Sequence, residues 1–129
     1  MISFEAFRQT DGTPIYLQII RYIQQGLAAG TIQDGDELPS RRVVSALLAV
    51  NPNTVQKAFR LLEDEGLVTS RAGAKSYIQA APEQIAVLRR ELLETELQTM
   101  VDAARRMGLT REEAHRLLDT LYDKEGTDA

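Results

Sequence analysis

The sequence predicts a mainly α-helical fold with one small β-hairpin. Three observations predict it: two short amphipathic patterns meet at Asn51-Pro52-Asn53, strand-like segments follow Gly66, and a long apolar stripe begins at Pro82. We therefore expect residues 1–80 to hold a helix-turn-helix followed by a hairpin, and residues 81–129 to form an arm of two further helices.

The composition is that of a globular chain. Of the 129 residues, 43% are apolar and 26% are charged. No apolar run is long enough for a transmembrane helix, and the first residues lack the basic and apolar segments of a signal peptide. The absence of cysteine excludes disulfides, thiolate catalysis and cysteine-bound zinc, and it fits a cytoplasmic protein.

The first helix is predicted from Thr13 as N-cap and Pro14 as its first residue, and Gly30 ends it. Residues 31–38 are expected to be a polar loop with an Asp-Gly turn signal. Apolar residues at helical spacing predict the buried face of this helix: Ile15, Ile19, Tyr22, Ile23 and Leu27.

A second helix is expected to open at Pro39 and Ser40, and a third to run from about Pro52 to Glu65. Gly66 follows as a residue suited to end it. The predicted apolar face of the second helix is Val43, Val44, Leu47 and Leu48, and that of the third is Val55, Ala58, Phe59 and Leu62.

Residues 67–71 and 75–79 then predict the two strands of the hairpin, with a basic residue on either side of its tip. A fourth helix is expected from Pro82 to Gly108, and a capping box at Thr110 opens a last helix whose polar tail, Lys124 to Ala129, is expected to fray. The apolar stripe of the fourth helix is Ile85, Leu88, Leu92, Leu97, Met100, Val101 and Ala104.

Charge is distributed unevenly along the chain. Residues 1–80 carry eight bases and eight acids, whereas residues 81–129 carry seven bases and eleven acids and so account for the net charge of −4. Between Leu38 and Leu62 there are four bases and no acid. Such a segment is a candidate phosphate-facing surface, and chance clustering on a solvated face is the alternative.

Residues 14–79 resemble the winged-helix domain of the GntR superfamily of bacterial regulators, and the short helical remainder resembles that of its YtrA subfamily. Four pieces in this order and spacing carry the resemblance: Pro14-Ile15-Tyr16-Leu17-Gln18-Ile19, Leu38-Pro39-Ser40-x-Arg42, Val50-Asn51-x-x-Thr54-Val55-x-Lys57-Ala58-Phe59 and Leu62-Glu63-x-Glu65-Gly66-Leu67. The tip of the hairpin departs from the Gly-x-Gly that the family often has, because it reads Ala72-Gly73-Ala74.

The resemblance implies a regulator that binds double-stranded DNA. It implies that the wing tip, Ala72 and Gly73 with Arg71 beside them, enters the minor groove. Gln56 has the shape to pair with an adenine, and Lys57 and Arg60 can reach phosphates. The further residues that the resemblance implies as DNA contacts are Arg42, Asn51, Asn53, Thr54 and Gln56.

Each of these residues also has a purely structural interpretation. Asn51 and Asn53 are typical turn and cap residues, and Thr54 can satisfy a backbone group in the first turn of a helix. Arg42 could instead pair with an acid such as Glu63 or Glu65. Gly73 can serve as a hairpin residue whether or not it contacts DNA.

The arm is predicted to join two copies of the chain. Its apolar stripe needs cover, and pairing through residues 82–122 would give a homodimer that reads an inverted-repeat operator. The alternative is that the arm folds back onto its own winged helix. Any small-molecule effector, as yet unknown, is expected to bind between subunits or between arm and winged helix.

The resemblance further implies a repressor, with transporter genes as the regulated genes. The alternative is a winged helix used only for contact with other proteins. An enzyme is not expected, because the single histidine, His115, lacks a nucleophile partner and no phosphate-binding glycine loop is present. We also expect no catalytic residues, no metal site, no cofactor and no membrane partner.

Overall fold

The computed structural model describes residues 1–71 and 75–128, and within these ranges it contains five α-helices and three short β-strands. In chain order they are α1 Ile15–Ala29, β1 Glu37–Leu38, α2 Arg41–Leu48, α3 Pro52–Asp64, β2 Val68–Arg71, β3 Lys75–Ile78, α4 Pro82–Arg106 and α5 Arg111–Asp128. The helix-turn-helix, the sheet and the two C-terminal helices form a winged helix-turn-helix followed by a helical arm, as the sequence predicted.

Helix α1 begins one residue later than predicted. Pro14 is in the extended conformation, with ψ of 140°, and takes the cap position in place of Thr13. Its carbonyl accepts the first helical bonds, from the backbone N–H groups of Leu17 and Gln18. Proline has no N–H to lose at a helix start, so it suits this position although it offers no side-chain cap.

Helices α2 and α3 are joined by a tight turn at Ala49 and Val50. Ala49 has a left-handed φ of 56°, and the hydroxyl of Ser45 donates to the carbonyl of Val50 over 2.6 Å. The predicted apolar face of α2 is wrong in two places, because Val43 and Leu47 are 46% and 65% exposed. Since α2 is short and packs mainly on α3, only the side of Val44 is buried.

The hairpin forms the major part of a three-stranded antiparallel sheet with the order β1-β3-β2. The third strand, β1, lies at the end of the segment that was expected to be a loop only. Leu38 pairs with Ser76 in β3, and both of these residues are buried. The opposite face of β2 and β3 carries the half-buried or exposed residues Thr69, Arg71, Lys75 and Tyr77.

The hydrophobic core lies between α1, α3 and the sheet, and it includes the N-terminal segment before α1. Ile2, Phe4 and Phe7 are buried there, and the rings of Phe4 and Tyr22 stack with centroids 5.2 Å apart. The backbone N–H of Ile2 donates to the carbonyl of Glu37 over 2.8 Å, which ties this segment to β1. This role of the first residues was not predicted from the sequence.

The chain divides into two compact units at Arg90, inside α4. In the first unit Ile85 and Leu88 pack against the winged-helix core, so the start of the predicted apolar stripe is covered within the same chain. The predicted assignment of residues 1–80 to DNA binding and of residues 81–129 to dimerisation stays a prediction. In the second unit α5 extends to Asp128, so it includes residues after Lys124, and fraying of this tail stays a prediction.

The predicted capping box at Thr110 is confirmed. Its hydroxyl accepts from the N–H of Glu113, and the Glu113 carboxylate accepts from the N–H of Thr110, each over 3.2 Å. These reciprocal bonds satisfy two backbone donors at the start of α5. None of the helices in the described ranges combines the length and the apolar character needed to cross a bilayer.

Candidate nucleic-acid interface

Helix α3 has one buried side and one polar side. Val55, Ala58, Phe59 and Leu62 are buried in the core. Asn53, Gln56, Lys57 and Arg60 are exposed, and their spacing of three and four residues places them on one face. The residues that the sequence singled out along this helix are therefore brought together on one face, which carries no acid from Asn53 to Arg60 and continues into the exposed Asp64 one turn later.

The N-terminus of α3 is capped by Asn51. Its side-chain oxygen accepts from the N–H of Asn53 over 2.8 Å, and its carbonyl accepts from the N–H of Thr54 over 2.9 Å. The predicted cap role is thus present. It occupies only Oδ1, so the amide NH2 group of this exposed side chain can still donate to a base or a phosphate. Thr54 is half-buried at the same end of the helix.

The two cations of α3 differ in freedom. The ammonium group of Lys57 lies 4.0 Å from the centroid of the Tyr16 ring, a cation–π contact that holds it against α1. Arg60 is exposed one turn further along. Lys57 thus presents a charge of defined position, which limits the entropy lost when it contacts a phosphate.

Two consecutive arginines begin α2, and they have different surroundings. Arg41 pairs with Glu63, its Nη2 lying 3.2 Å from the carboxylate. Arg42 is exposed and makes no ion pair within the described part of the chain. The alternative in which Arg42 pairs with Glu63 is therefore not what the structure shows, and the guanidinium of Arg42 is left available to solvent.

The end of the β2–β3 ladder carries two positive charges. Arg71 and Lys75 are directly opposite each other in the register, and both are exposed. The Arg71 guanidinium lies 4.5 Å from the centroid of the Tyr77 ring. Like charges facing each other across two strands cost stability. A bound anion such as a phosphate would relieve this repulsion, so the pair indicates an anion-binding surface.

Gly73 and Ala72, which the sequence placed at the wing tip, lie outside the described residues. Lys75 was noted as a base beside the hairpin tip but was not among the predicted contacts. Its position across from Arg71 is the signal that could have added it, because strand pairing brings both cations to one place. No group of metal-ligating side chains is found among the residues that the structure describes.

Comparison with known proteins identifies relatives of the same kind. Residues 15–78 match the family model of bacterial regulatory proteins, gntR family. The chain is 33% identical to the HTH-type transcriptional repressor YtrA of Bacillus subtilis over 104 residues, and these residues make up 80% of each of the two chains. It is 36% identical over 100 residues to the HTH-type transcriptional regulator YhcF of the same organism, covering 78% of this chain and 83% of YhcF.

Solved structures agree. A GntR family transcriptional regulator from Listeria monocytogenes superposes with a TM-score of 0.80 at 27% identity, over 87% of this chain and 98% of the other. YtrA from Sulfolobus acidocaldarius, a GntR-family transcription factor, superposes with a TM-score of 0.56 at 29% identity, over 78% and 99%. These relatives are transcriptional regulators, not enzymes. The chain therefore belongs to the GntR family and is a DNA-binding transcriptional regulator of the YtrA-like kind.

Proposed function

We propose that this regulator is a homodimeric repressor that reads an inverted-repeat operator. The observation that carries the proposal is the exposed polar face of α3, on which Asn53, Gln56, Lys57 and Arg60 follow one another without an acid. A helix of this length fits the major groove, and its N-terminal residues point at base edges. As a DNA-binding regulator the protein would work where the genome lies, in the cytoplasm.

Each predicted contact has a role in this proposal. Asn53 and Gln56 read base edges through their amides. Arg42 and Lys57 bind phosphates on the flanks, and Asn51 and Thr54 bind at the helix N-terminus, where backbone N–H groups favour anions. Arg71 and Gly73 belong to the wing, which lies along the minor groove.

Dimerisation was predicted for residues 82–122 and is now proposed to run through the part of this range beyond Arg90, because Ile85 and Leu88 pack on the winged-helix core. In the second compact unit, α4 and α5 line a cavity of about 500 Å3. Leu97, Met100 and Val101 line it and are exposed, and Leu117 and Leu121 of α5 are exposed as well. Exposed apolar residues on these two helices favour cover by another surface, and a second copy of the same arm supplies a matching one.

The similarity to the repressor YtrA supports repression as the direction of control. The YtrA resemblance extends the proposal to transporter genes as the regulated genes. Deleting the gene should then raise the transcripts of a transporter operon beside it, measured by RNA sequencing. Unchanged or lower transcripts would contradict repression.

A small-molecule effector is part of the proposal only as a ligand of the arm, because the cavity of the arm is of ligand size. A broad metabolite panel should contain at least one compound that raises the melting temperature and weakens DNA binding. A panel without any thermal shift would count against an effector.

The DNA interface is tested by fluorescence anisotropy with an operator duplex selected by the protein from a random-sequence pool. Asn53→Ala and Arg42→Ala should each weaken binding by about 1–3 kcal/mol, because each removes a base or phosphate contact. Only Arg42→Ala should also lower the salt dependence of operator binding, because Arg42 is the one of the two that is proposed to contact a phosphate.

Arg21→Ala is the matched control, since Arg21 is an exposed arginine of α1 outside the proposed interface. Its loss should change operator affinity far less than the loss of Arg42. If the pool yields no preferred sequence and neither interface variant differs from Arg21→Ala, the α3 assignment fails. A winged helix used for protein contact would then be the better interpretation, with Val43 and Leu47 as its exposed apolar residues.

A further inference from the structure

A single carboxylate connects three elements of the winged helix. Glu63 lies in the last turn of α3, and its Oε1 is 3.2 Å from Nη2 of Arg41 at the start of α2. The same oxygen accepts a hydrogen bond of 2.7 Å from the hydroxyl of Ser70 in β2. The helix-turn-helix and the wing strand therefore meet at one atom, and we call these three residues the Glu63 junction.

The junction holds the charge of Arg41 against the protein. The side chain is only 28% exposed, and its guanidinium lies 5.3 Å from the centroid of the Phe59 ring. Its Nε is buried and has no hydrogen-bond partner in the described part of the chain. A buried donor without a partner is costly, so the ion pair with Glu63 is what keeps this arginine in place.

The junction also reaches the wing. Ser70 is the neighbour of Arg71, and alternation along the strand turns Ser70 towards Glu63 while Arg71 lies on the other face with Lys75. A second contact of 3.5 Å joins the hydroxyls of Ser70 and Ser76. The position of the strand end that carries the two cations is thus set by a bond to α3.

We propose that Glu63 is a positioning residue for DNA recognition, which holds the wing against α3 and keeps Arg41 from binding DNA. This inference rests on the proposed function of the α3 face and the wing. A free arginine beside Arg42 would add a phosphate contact to any sequence, and that raises non-specific affinity. If the wing were released from α3, it would lose the DNA contacts that it makes when α3 is docked on the operator. Both effects lower the preference for the operator over other DNA sequences.

The test compares Glu63→Gln with Asp64→Asn, because the two acids are neighbours at the end of α3 and each change removes one negative charge. Asp64 is exposed and takes no part in the junction. Affinity is measured for the selected operator and for a shuffled duplex of equal length, at several salt concentrations. Glu63→Gln should lower the ratio of the two affinities by about tenfold relative to Asp64→Asn, the size of one or two polar contacts.

The salt dependence separates the two halves of the effect. With Glu63→Gln the slope on the shuffled duplex should steepen by about 1, because one more cation reaches phosphate. Ser70→Ala removes the bond to Glu63 together with the weaker contact to Ser76 and leaves the Arg41–Glu63 pair in place. It should therefore reduce operator affinity several-fold, weaken hydroxyl-radical protection at the wing, and leave affinity for the shuffled duplex unaffected.

Two results would overturn the inference. If Glu63→Gln and Asp64→Asn change both duplexes alike, Glu63 acts through its charge alone. If Glu63→Gln does not fold, Ser70→Ala still decides, and equal wing protection in this variant and the wild type sinks the proposal. A wild type that prefers no sequence would instead remove the proposed function, and the inference with it.

Discussion

Adjacent residues at the start of α2 have different surroundings, and the sequence alone does not separate them. Arg41 is held by Glu63 and Phe59, whereas Arg42 is exposed. Consecutive helical residues differ by about 100° in direction, so which arginine faces an acid depends on how α2 packs on α3. The sequence analysis weighed pairing with Glu63 only for Arg42, as the alternative to a DNA contact, and the structure gives this partner to Arg41 instead.

Asn51 has a structural role that leaves part of its side chain free for the predicted contact with DNA. Its oxygen caps α3, as the pattern Asn51-Pro52 indicated. The cap also orients the first turn, in which Asn53 and Thr54 lie. The cap could be predicted because it depends on local sequence. The DNA contacts stay predictions, because they depend on a partner that the chain does not specify.

The turn between the two helices stores strain at Ala49, whose φ of 56° is disfavoured for a residue with a Cβ atom. Ala49→Gly should therefore raise the free energy of unfolding by about 0.5–1 kcal/mol, the relief of strain being partly offset by the greater entropy of the unfolded glycine. Urea unfolding followed by circular dichroism measures the change.

Ala46→Gly is the matched control for this prediction. It makes the same substitution within α2 at an exposed residue with helical backbone, and there glycine should cost about 1 kcal/mol. Opposite signs for the two variants are expected. A loss of stability at both positions would show that the left-handed turn is not strained.

At the scale of elements, a helix could be predicted where apolar residues recur at helical spacing and where a residue that starts or ends helices stands at each end. The third helix was placed within one residue of its observed end, because Pro52 and Gly66 mark both ends. Strand β1 was missed because two residues carry no period, and Glu37 and Leu38 form a strand only by pairing with β3. Likewise, the exposure of Val43 and Leu47 follows from the placement of α2, which hydrophobicity does not encode.

The pairing of Arg71 with Lys75 at the end of the β2–β3 ladder destabilises the fold, because two like charges face each other. Lys75→Glu would replace a like-charge pair with an ion pair across the strands, and it should stabilise the fold by about 0.2–1 kcal/mol. The same change should weaken operator binding, because it replaces a cation beside the wing tip with an acid. Thermal unfolding and anisotropy on the same preparation measure the two effects.

Arg71→Ala provides the control, because without Arg71 the acid at position 75 has no cross-strand partner. The stabilising effect of Lys75→Glu should then disappear, while its effect on DNA affinity persists. If Lys75→Glu leaves operator affinity intact in both backgrounds, the strand end is not part of the interface.

At the scale of the whole molecule, the two ends of the chain were the hardest to predict. The segment before α1 has no helical or strand period, yet Ile2, Phe4 and Phe7 enter the core. Gln18 helps to hold it, since its buried amide accepts from the backbone N–H of Thr10 and donates to the carbonyls of Thr10 and Thr13. Such long-range packing is set by tertiary contacts, which a local pattern does not report.

The apolar stripe of α4 was seen correctly as a pattern but was interpreted as one surface. Ile85 and Leu88 are used by the winged helix itself, whereas Leu97, Met100 and Val101 are exposed. The alternative in which the arm packs on its own winged helix therefore holds for the start of the stripe, and pairing with a second copy stays a prediction for the rest. Only the part beyond Arg90 is left for pairing with another chain.

Dimerisation through this remaining part is tested by Leu97→Glu. Leu97 is 50% exposed beside the cavity of the arm, and a charge there could not be covered by an apolar partner without a large desolvation cost. The variant should be monomeric by analytical ultracentrifugation and should bind a full operator no better than a single half-site, because avidity is lost.

Thr99→Glu introduces the same charge two residues further along, on the opposite face of the helix and at an exposed position. It should leave both the dimer and the affinity for the full operator unchanged. Two outcomes are then informative. A Leu97→Glu protein that is still dimeric would place the interface elsewhere on the chain. A monomeric one that keeps full operator affinity would show that each winged helix reads its half-site independently.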